Sequence, residues 1–148
     1  MASVHAPKKK MAANKFKGLD ALQRKLRDLP TEIKAELQAS LEKSGSEMVS
    51  LARGLAPVDE GDLRDSIVMT SAGGLTPIYG GGGQTKVGDL AVRVTAGDFF
   101  TRYGAHVEYG TKTMAARPFF WPAWRVLRRR IRGRTNRAIT AALRKVFR

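Results

Sequence analysis

Pro30 and Pro57 fence off residues 31–56, and between them the apolar side chains recur on one helical face. Ile33, Leu37, Leu41, Met48, Leu51 and Leu55 hold that face, with Ser44 and Ala52 filling the stripe. Proline stops a helix interior but not its first turn, so this stretch is set up as a helix about 39 Å long. Glu32, Lys34, Glu36, Glu42, Lys43 and Glu47 occupy the opposite, solvated side. Gly45 lies inside and weakens the helix modestly. A second amphipathic stretch opens after Pro118 and Pro122. Its apolar face is Trp124, Leu127, Ile131, Ala138, Ala142 and Val146, joined by Ile139 and Leu143, and Gly133 is a point where it can bend. Upstream, Leu19, Leu22, Leu26 and Leu29 predict a shorter helix ending near Pro30.

Between the two long helices the pattern turns to strands. Ile67, Val68 and Met69 begin one; Lys86 to Thr95 reads as another, with Val92 and Val94 alternating with Arg93. Residues 66–96 therefore predict a long β-hairpin whose tip, Gly80, Gly81, Gly82, Gly83 and Gln84, is too glycine-rich for a core and is suited to reaching a neighbouring subunit. Tyr103 to Tyr109 reads as a short helix closed by Gly110. The expectation is an α+β fold: a flexible basic arm over residues 1–15, then one domain over residues 16–148, a length that suits a single core.

Charge is segregated along this plan. The net charge is +14, yet all 13 acidic residues lie at or before Glu108, while residues 109–148 carry 12 basic residues and no acid. Arg125, Arg128, Arg129, Arg130, Arg132, Arg134 and Arg137 crowd the last helix. Self-repulsion on this scale calls for a polyanionic neighbour: nucleic acid, an acidic protein surface or anionic lipid.

Chemistry-bearing constellations are sparse. The chain has no cysteine and 2 histidines, which removes disulfides, thiolate metal sites and thiol catalysis. The glycine run before Lys86 lacks the phosphate-loop spacing, and no helix opens there. Asp59, Glu60, Asp62 and Asp65 cluster without calcium-loop spacing; Asp59 is placed to cap a short turn in which Asp62 and Leu63 are early helical residues. His106, Glu108 and Ser66 show no nucleophile-elbow pattern. Glu108, isolated among basic residues, is expected to pair with an arginine, internally or across a subunit boundary. Phe119, Phe120, Trp121 and Trp124 are expected to anchor the last helix rather than to stack on bases. No catalytic, cofactor or metal site is expected. The longest apolar run, around Phe119 to Trp124, is far short of the roughly 20 residues of a membrane span, and no apolar signal segment opens the chain.

Three stretches in order carry a resemblance. Residues 56–67, Ala-Pro-Val-Asp-Glu-Gly-Asp-Leu-Arg-Asp-Ser-Ile, resemble Ala-Pro-Val-Asp-Thr-Gly-x-Leu-Arg-x-Ser-Ile, with Pro57, Asp59, Gly61 and Leu63 as the matching positions. Residues 103–111 resemble Tyr-Ala-x-x-Val-Glu-Phe-Gly-Thr through Glu108, Gly110 and Thr111. Residues 117–123 resemble Pro-Phe-Leu-x-Pro-Ala through Pro118 and Phe119, opening the helix that holds Trp124. The combination is similar to the neck or tail-completion family of long-tailed bacteriophages and prophages, which is related to the minor tail protein Z group. Departures are Glu60 for Thr, Gly104 for Ala, Tyr109 for Phe and a more arginine-rich final helix.

The resemblance implies a non-enzymatic virion protein at the head–tail junction or tail top, assembled in the host cytoplasm. It would form a homo-oligomeric ring around the DNA channel, with six subunits expected from tail symmetry. The implied partners are head-closure, tail-terminator or tail-tube rings, the tape-measure protein, and packaged DNA through non-specific contacts. Neither a cofactor nor a membrane is implied. A different class of function fits the same charge pattern: a free, sequence-independent nucleic-acid-binding protein using the basic arm and the arginine helix.

Overall fold

A computed structural model describes residues 30–79 and 83–146. The basic arm, the leucine helix before Pro30 and glycines 80–82 lie outside the described residues. The elements in chain order are α1 (Thr31–Leu55), α2 (Asp62–Asp65), β1 (Val68–Thr70), β2 (Arg93–Thr95), α3 (Gly104–Tyr109) and α4 (Phe120–Val146). The α+β architecture is thus two long helices with a small two-stranded sheet between them in sequence.

α1 and α4 pack antiparallel. The N-terminal end of α1 (Ile33, Leu37) buries against Ala142, Ala138 and Ile139 near the end of α4. Its C-terminal half (Met48, Ala52, with Ala56 beyond) buries against Phe119, Ala123 and Leu127 near the start of α4, together with Leu63 and Ile67. Small residues at Ala52 and Ala123, both fully buried, let the two backbones approach closely. α1 stops where expected: Ala56 N–H donates to Ala52 O at 2.9 Å, and Pro57 follows.

The sheet lies across α1. β1 and β2 are antiparallel, with Val68 opposite Thr95, Met69 opposite Val94 and Thr70 opposite Arg93. Gly45 of α1 is more than a weak helix former. A Cβ there would stand 2.5 Å from Met69 Sδ and 2.7 Å from Val92 Cγ1, so glycine permits the sheet to seat on the helix.

The hairpin is not continuous. Pairing resumes beyond β1 and β2 only around Leu75 and Lys86, where Gly73 donates to Val87 O, Val87 to Gly74 O and Thr76 to Thr85 O. Between the two paired segments Gly73 and Leu90 take positive φ (75° and 53°), each in a turn that breaks the ladder. The expected strand over Lys86 to Thr95 is therefore only Arg93–Thr95 plus one bridge. Leu90 accepts a conformation that costs about 1–2 kcal/mol because its side chain packs on the Ile33–Leu37–Ala142 cluster.

Two further expectations change. α2 is entered through Gly61 at φ 99°, with no side-chain cap, so Asp59 does not play that part. Trp124 is 40% exposed, whereas Phe119 is 1% exposed: of the two, only the phenylalanine is a buried anchor.

Candidate assembly surfaces

The start of α4 is fixed by a carboxylate. Gly110 closes α3 at φ 76°, and its N–H bonds His106 O at 2.7 Å. Thr111 Oγ1 then accepts from Met114 N–H at 3.1 Å, and Arg117 N–H returns to Val107 O at 2.8 Å. This reversal brings residues 119–121 over Glu108. Glu108 Oε2 accepts the N–H groups of Phe119 and Phe120, both at 2.9 Å, and Oε1 accepts that of Trp121 at 3.1 Å. These donors belong to the first turn of α4, which no i−4 carbonyl serves, and a negative charge there also complements the helix dipole. Glu108 is buried, and no ion pair among the described residues includes it. The expected internal arginine pairing is corrected: within the subunit this acid is the cap of the arginine helix.

The far side of α4 is clasped by α1. Arg134 Nη2 donates to Glu47 Oε1 at 2.6 Å and its Nη1 to Ser44 Oγ at 2.9 Å, while Arg130 Nη2 reaches the same carboxylate at 3.2 Å. Lys145 pairs with Glu36 at 2.5 Å. The hydrogen bond from Arg134 holds the Glu47 carboxyl below the usual glutamate range, and partial desolvation opposes it. So Arg130 and Arg134 have an internal acid. Arg125, Arg128, Arg129, Arg132 and Arg137 are exposed, and no ion pair among the described residues includes them.

These five do not share one face. At about 3.6 residues per turn, Arg125, Arg129 and Arg132, spaced four and three apart, form a stripe on the side away from Leu127 and Arg134, which face α1. Arg128 and Arg137 flank it on opposite sides.

The remaining motif residues build the turn opposite. Ser66, buried, donates to Leu63 O at 2.7 Å and accepts from Gly97 N–H at 3.0 Å, so its hydroxyl is spent on the backbone. Arg53 Nε donates to Ile67 O at 3.0 Å and ties the same turn to α1. Leu63 is buried, while Pro57 is half-buried, Asp59 exposed, and Pro118 exposed beside buried Phe119. No group of three or more potential metal-ligating side chains occurs among the described residues.

A second surface was not legible in the sequence. Leu75, Ile78 and Tyr79 of the hairpin stand exposed, as do Phe99 and Phe100 in the loop after β2, the latter at 88%. That loop is well built: Asp98 Oδ1 accepts from Phe100 and Thr101 N–H at 2.9 and 2.7 Å, and Arg102 lies 4.6 Å from the Phe99 ring centroid. These backbone bonds, that of Thr101 foremost, hold the Asp98 carboxyl below its ordinary value. Between the hairpin, α3 and the start of α4 is an apolar cavity of about 430 Å3, lined in part by Val94, Ala96, Tyr109, Phe120 and Trp121. Trp121 Nε1 donates to the Tyr109 hydroxyl at 2.6 Å on its rim. Gly83 and Gln84, at the near end of the expected tip, are exposed.

A family model described as "Bacteriophage HK97-gp10, putative tail-component" matches residues 20–110. The match takes in α1, the sheet and α3 and stops at the glycine before the reversal, so α4 and its arginines lie beyond it. No curated protein and no solved structure matches the chain. No helix among the described residues is long and apolar enough to cross a membrane.

Proposed function

We propose, for a chain that belongs to the HK97-gp10-like family of bacteriophage tail components, a structural role as a homo-oligomeric ring at the tail top or neck, completing the tail and joining it to the head around the DNA channel. A tail component is a virion part whose neighbours are other virion proteins; the ring and its level in the neck are the further step. The observation that carries this reading is the amount of large apolar surface left uncovered. Leu75 and Ile78 on the hairpin, Phe99 and Phe100 in the loop after β2, and Tyr79, Tyr109 and Trp121 lining one cavity are all more than 40% exposed. Scattered exposed apolar residues are ordinary; a set of aromatics around one cavity is the composition of a protein interface. A ring of identical subunits covers such surface by heterologous contacts, a different patch on each side.

In this reading the first and last helices supply a rigid two-layer body, and the hairpin supplies reach. Six subunits are expected. The test is electron microscopy of the purified full chain, alone and labelled in particles. Closed rings in solution and label at the head–tail junction are the expected result. A monomer at every concentration, with no label in particles, refutes it.

A further inference from the structure

The turn Pro57–Leu63, α3 and the loop before α4 enclose a groove of about 750 Å3 on a side of the molecule not used by the α1–α4 clasp. One wall carries the exposed carboxylates Asp59, Glu60 and Asp62, set against a single lining guanidinium, Arg117. The other walls are apolar and aromatic: Val58, Tyr103 and Met114 line the groove and remain 66%, 42% and 42% exposed. No ion pair among the described residues includes any of the three acids. The Tyr103 phenol is pushed up by burial and then by Asp62, Asp59 and Glu60, as expected where these carboxylates crowd one ring. The same chain carries a matching positive element. Arg125, Arg129 and Arg132 run about 10 Å along the outer side of α4, on the face turned away from α1.

We infer that the groove beside Asp59, Glu60 and Asp62 receives the Arg125–Arg129–Arg132 stripe of a second copy of this chain, making the subunit-to-subunit contact of the ring. The inference rests on the ring reading and adds which two faces meet. Three considerations favour a protein occupant over nucleic acid on the arginine stripe. Among the described residues neither the three acids nor the three arginines of the stripe belong to an ion pair, and a head-to-tail contact pairs both at once. The two faces are different patches of one subunit, which a heterologous contact requires. The groove also offers tyrosine, methionine and valine surface, against which arginine stems pack, and interfaces are enriched in arginine and aromatics for that reason. Arg128 and Arg137, on the flanks, stay outside the contact.

Charge exchange in the full chain tests this. One variant is Asp59→Lys/Glu60→Lys/Asp62→Lys; the other is Arg125→Glu/Arg129→Glu/Arg132→Glu. Native mass spectrometry and sedimentation follow assembly, and circular dichroism follows the fold. Each variant alone brings like charges together, and the concentration for half-assembly is expected to rise about a hundredfold or more. An equimolar mixture restores opposite charges at every contact, so it is expected to reassemble into rings alternating 1:1. A chain carrying both sets of changes is expected to assemble by itself. If the lysine variant misfolds, Asp59→Asn/Glu60→Gln/Asp62→Asn takes its place and is expected to weaken assembly and its salt dependence. Either patch variant assembling like the parent overturns the inference while leaving the ring standing. An arginine variant that keeps the ring and loses only DNA retention overturns it in favour of nucleic acid. A parent chain that never assembles overturns the ring itself.

Discussion

Glu108 gives the sharpest test of how the arginine helix is held. Its carboxylate accepts three consecutive backbone N–H groups at 2.9, 2.9 and 3.1 Å, the first fully buried and the other two partly so. In Glu108→Ala, the Phe119 N–H loses its acceptor where water cannot readily replace it, a cost of about 1–3 kcal/mol. The partly buried amides of Phe120 and Trp121 lose about 0.5–1.5 kcal/mol each, and removing a negative charge from the helix N-terminus adds about 0.3–1 kcal/mol. The donors share one acceptor, so these values do not simply add; about 3–5 kcal/mol is expected in all. At about 2–4 °C per kcal/mol for a chain near this size, the thermal midpoint falls by about 6–20 °C.

Urea unfolding followed by far-ultraviolet circular dichroism reads the effect as a lower midpoint at unchanged slope. Glu108→Gln keeps the volume and one carbonyl oxygen but turns an amide NH2 toward a backbone donor, so it should recover only part of the loss. High salt separates the cap from a surface ion pair. Screening removes most of an exposed pair's contribution and little of a buried cap's, so the deficit of Glu108→Ala should persist in 1 M salt. A deficit below about 1 kcal/mol, or one that vanishes in salt, would refute the capping account.

Two glycines of α1 should respond in opposite directions. Gly54→Ala, with nothing within 4 Å of the added Cβ, should stabilise by about 0.5–1 kcal/mol, whereas Gly45→Ala drives into Met69 and Val92 and should destabilise by about 1–3 kcal/mol, both read as urea midpoints. Phe119→Ala should cost about 3–5 kcal/mol and Trp124→Ala, at 40% exposure, clearly less; equal losses would mean that Trp124 is covered in the folded chain. Glu47 titrates below the ordinary glutamate range, so its stabilising effect is complete above that range and is lost as the pH falls through its lower folded value. Glu47→Gln should therefore flatten the acid limb of a stability-against-pH profile below about pH 4.3, and an unchanged limb counts against the clasp.

What could be read from the chain alone was what local periodicity encodes. The boundaries of α1 follow from Pro30, Pro57 and a stripe recurring every three or four residues, and α3 follows from Gly110. The interruption of the hairpin was less legible, because Leu90 takes its left-handed turn only where Ile33, Leu37 and Ala142, distant in sequence, make a surface for it. Trp124 misled because an apolar residue on the stripe of a long helix is buried only if its partner is wide enough to cover it; α1 covers Ala123 and Leu127 and leaves the indole at the edge. Glu108 misled for another reason. A carboxylate whose partners are backbone N–H groups leaves no complementary residue in the sequence, so its isolation among basic side chains suggested an arginine.

The arginine row shows why such differences bear on function. Counted along the chain, the seven arginines from Arg125 to Arg137 look equivalent. Glu47 sorts them, although it lies 83 residues from Arg130 and 87 from Arg134. By clasping those two to α1, it adds to the buried face of Ala123, Leu127 and Ala142 in holding the rotation of α4 about its own axis, and in that rotation Arg125, Arg129 and Arg132 face away from α1. Glu108 fixes the helix at its N-terminal end in the same way. Two acids that never touch the outward stripe thus help to hold it, and loosening either one should blunt assembly even with every outward arginine in place. Glu47→Gln, which keeps the side chain's size, is then expected to raise the concentration for half-assembly while the fold survives at neutral pH. Assembly identical to the parent's would mean that the stripe's direction is set by the apolar face alone.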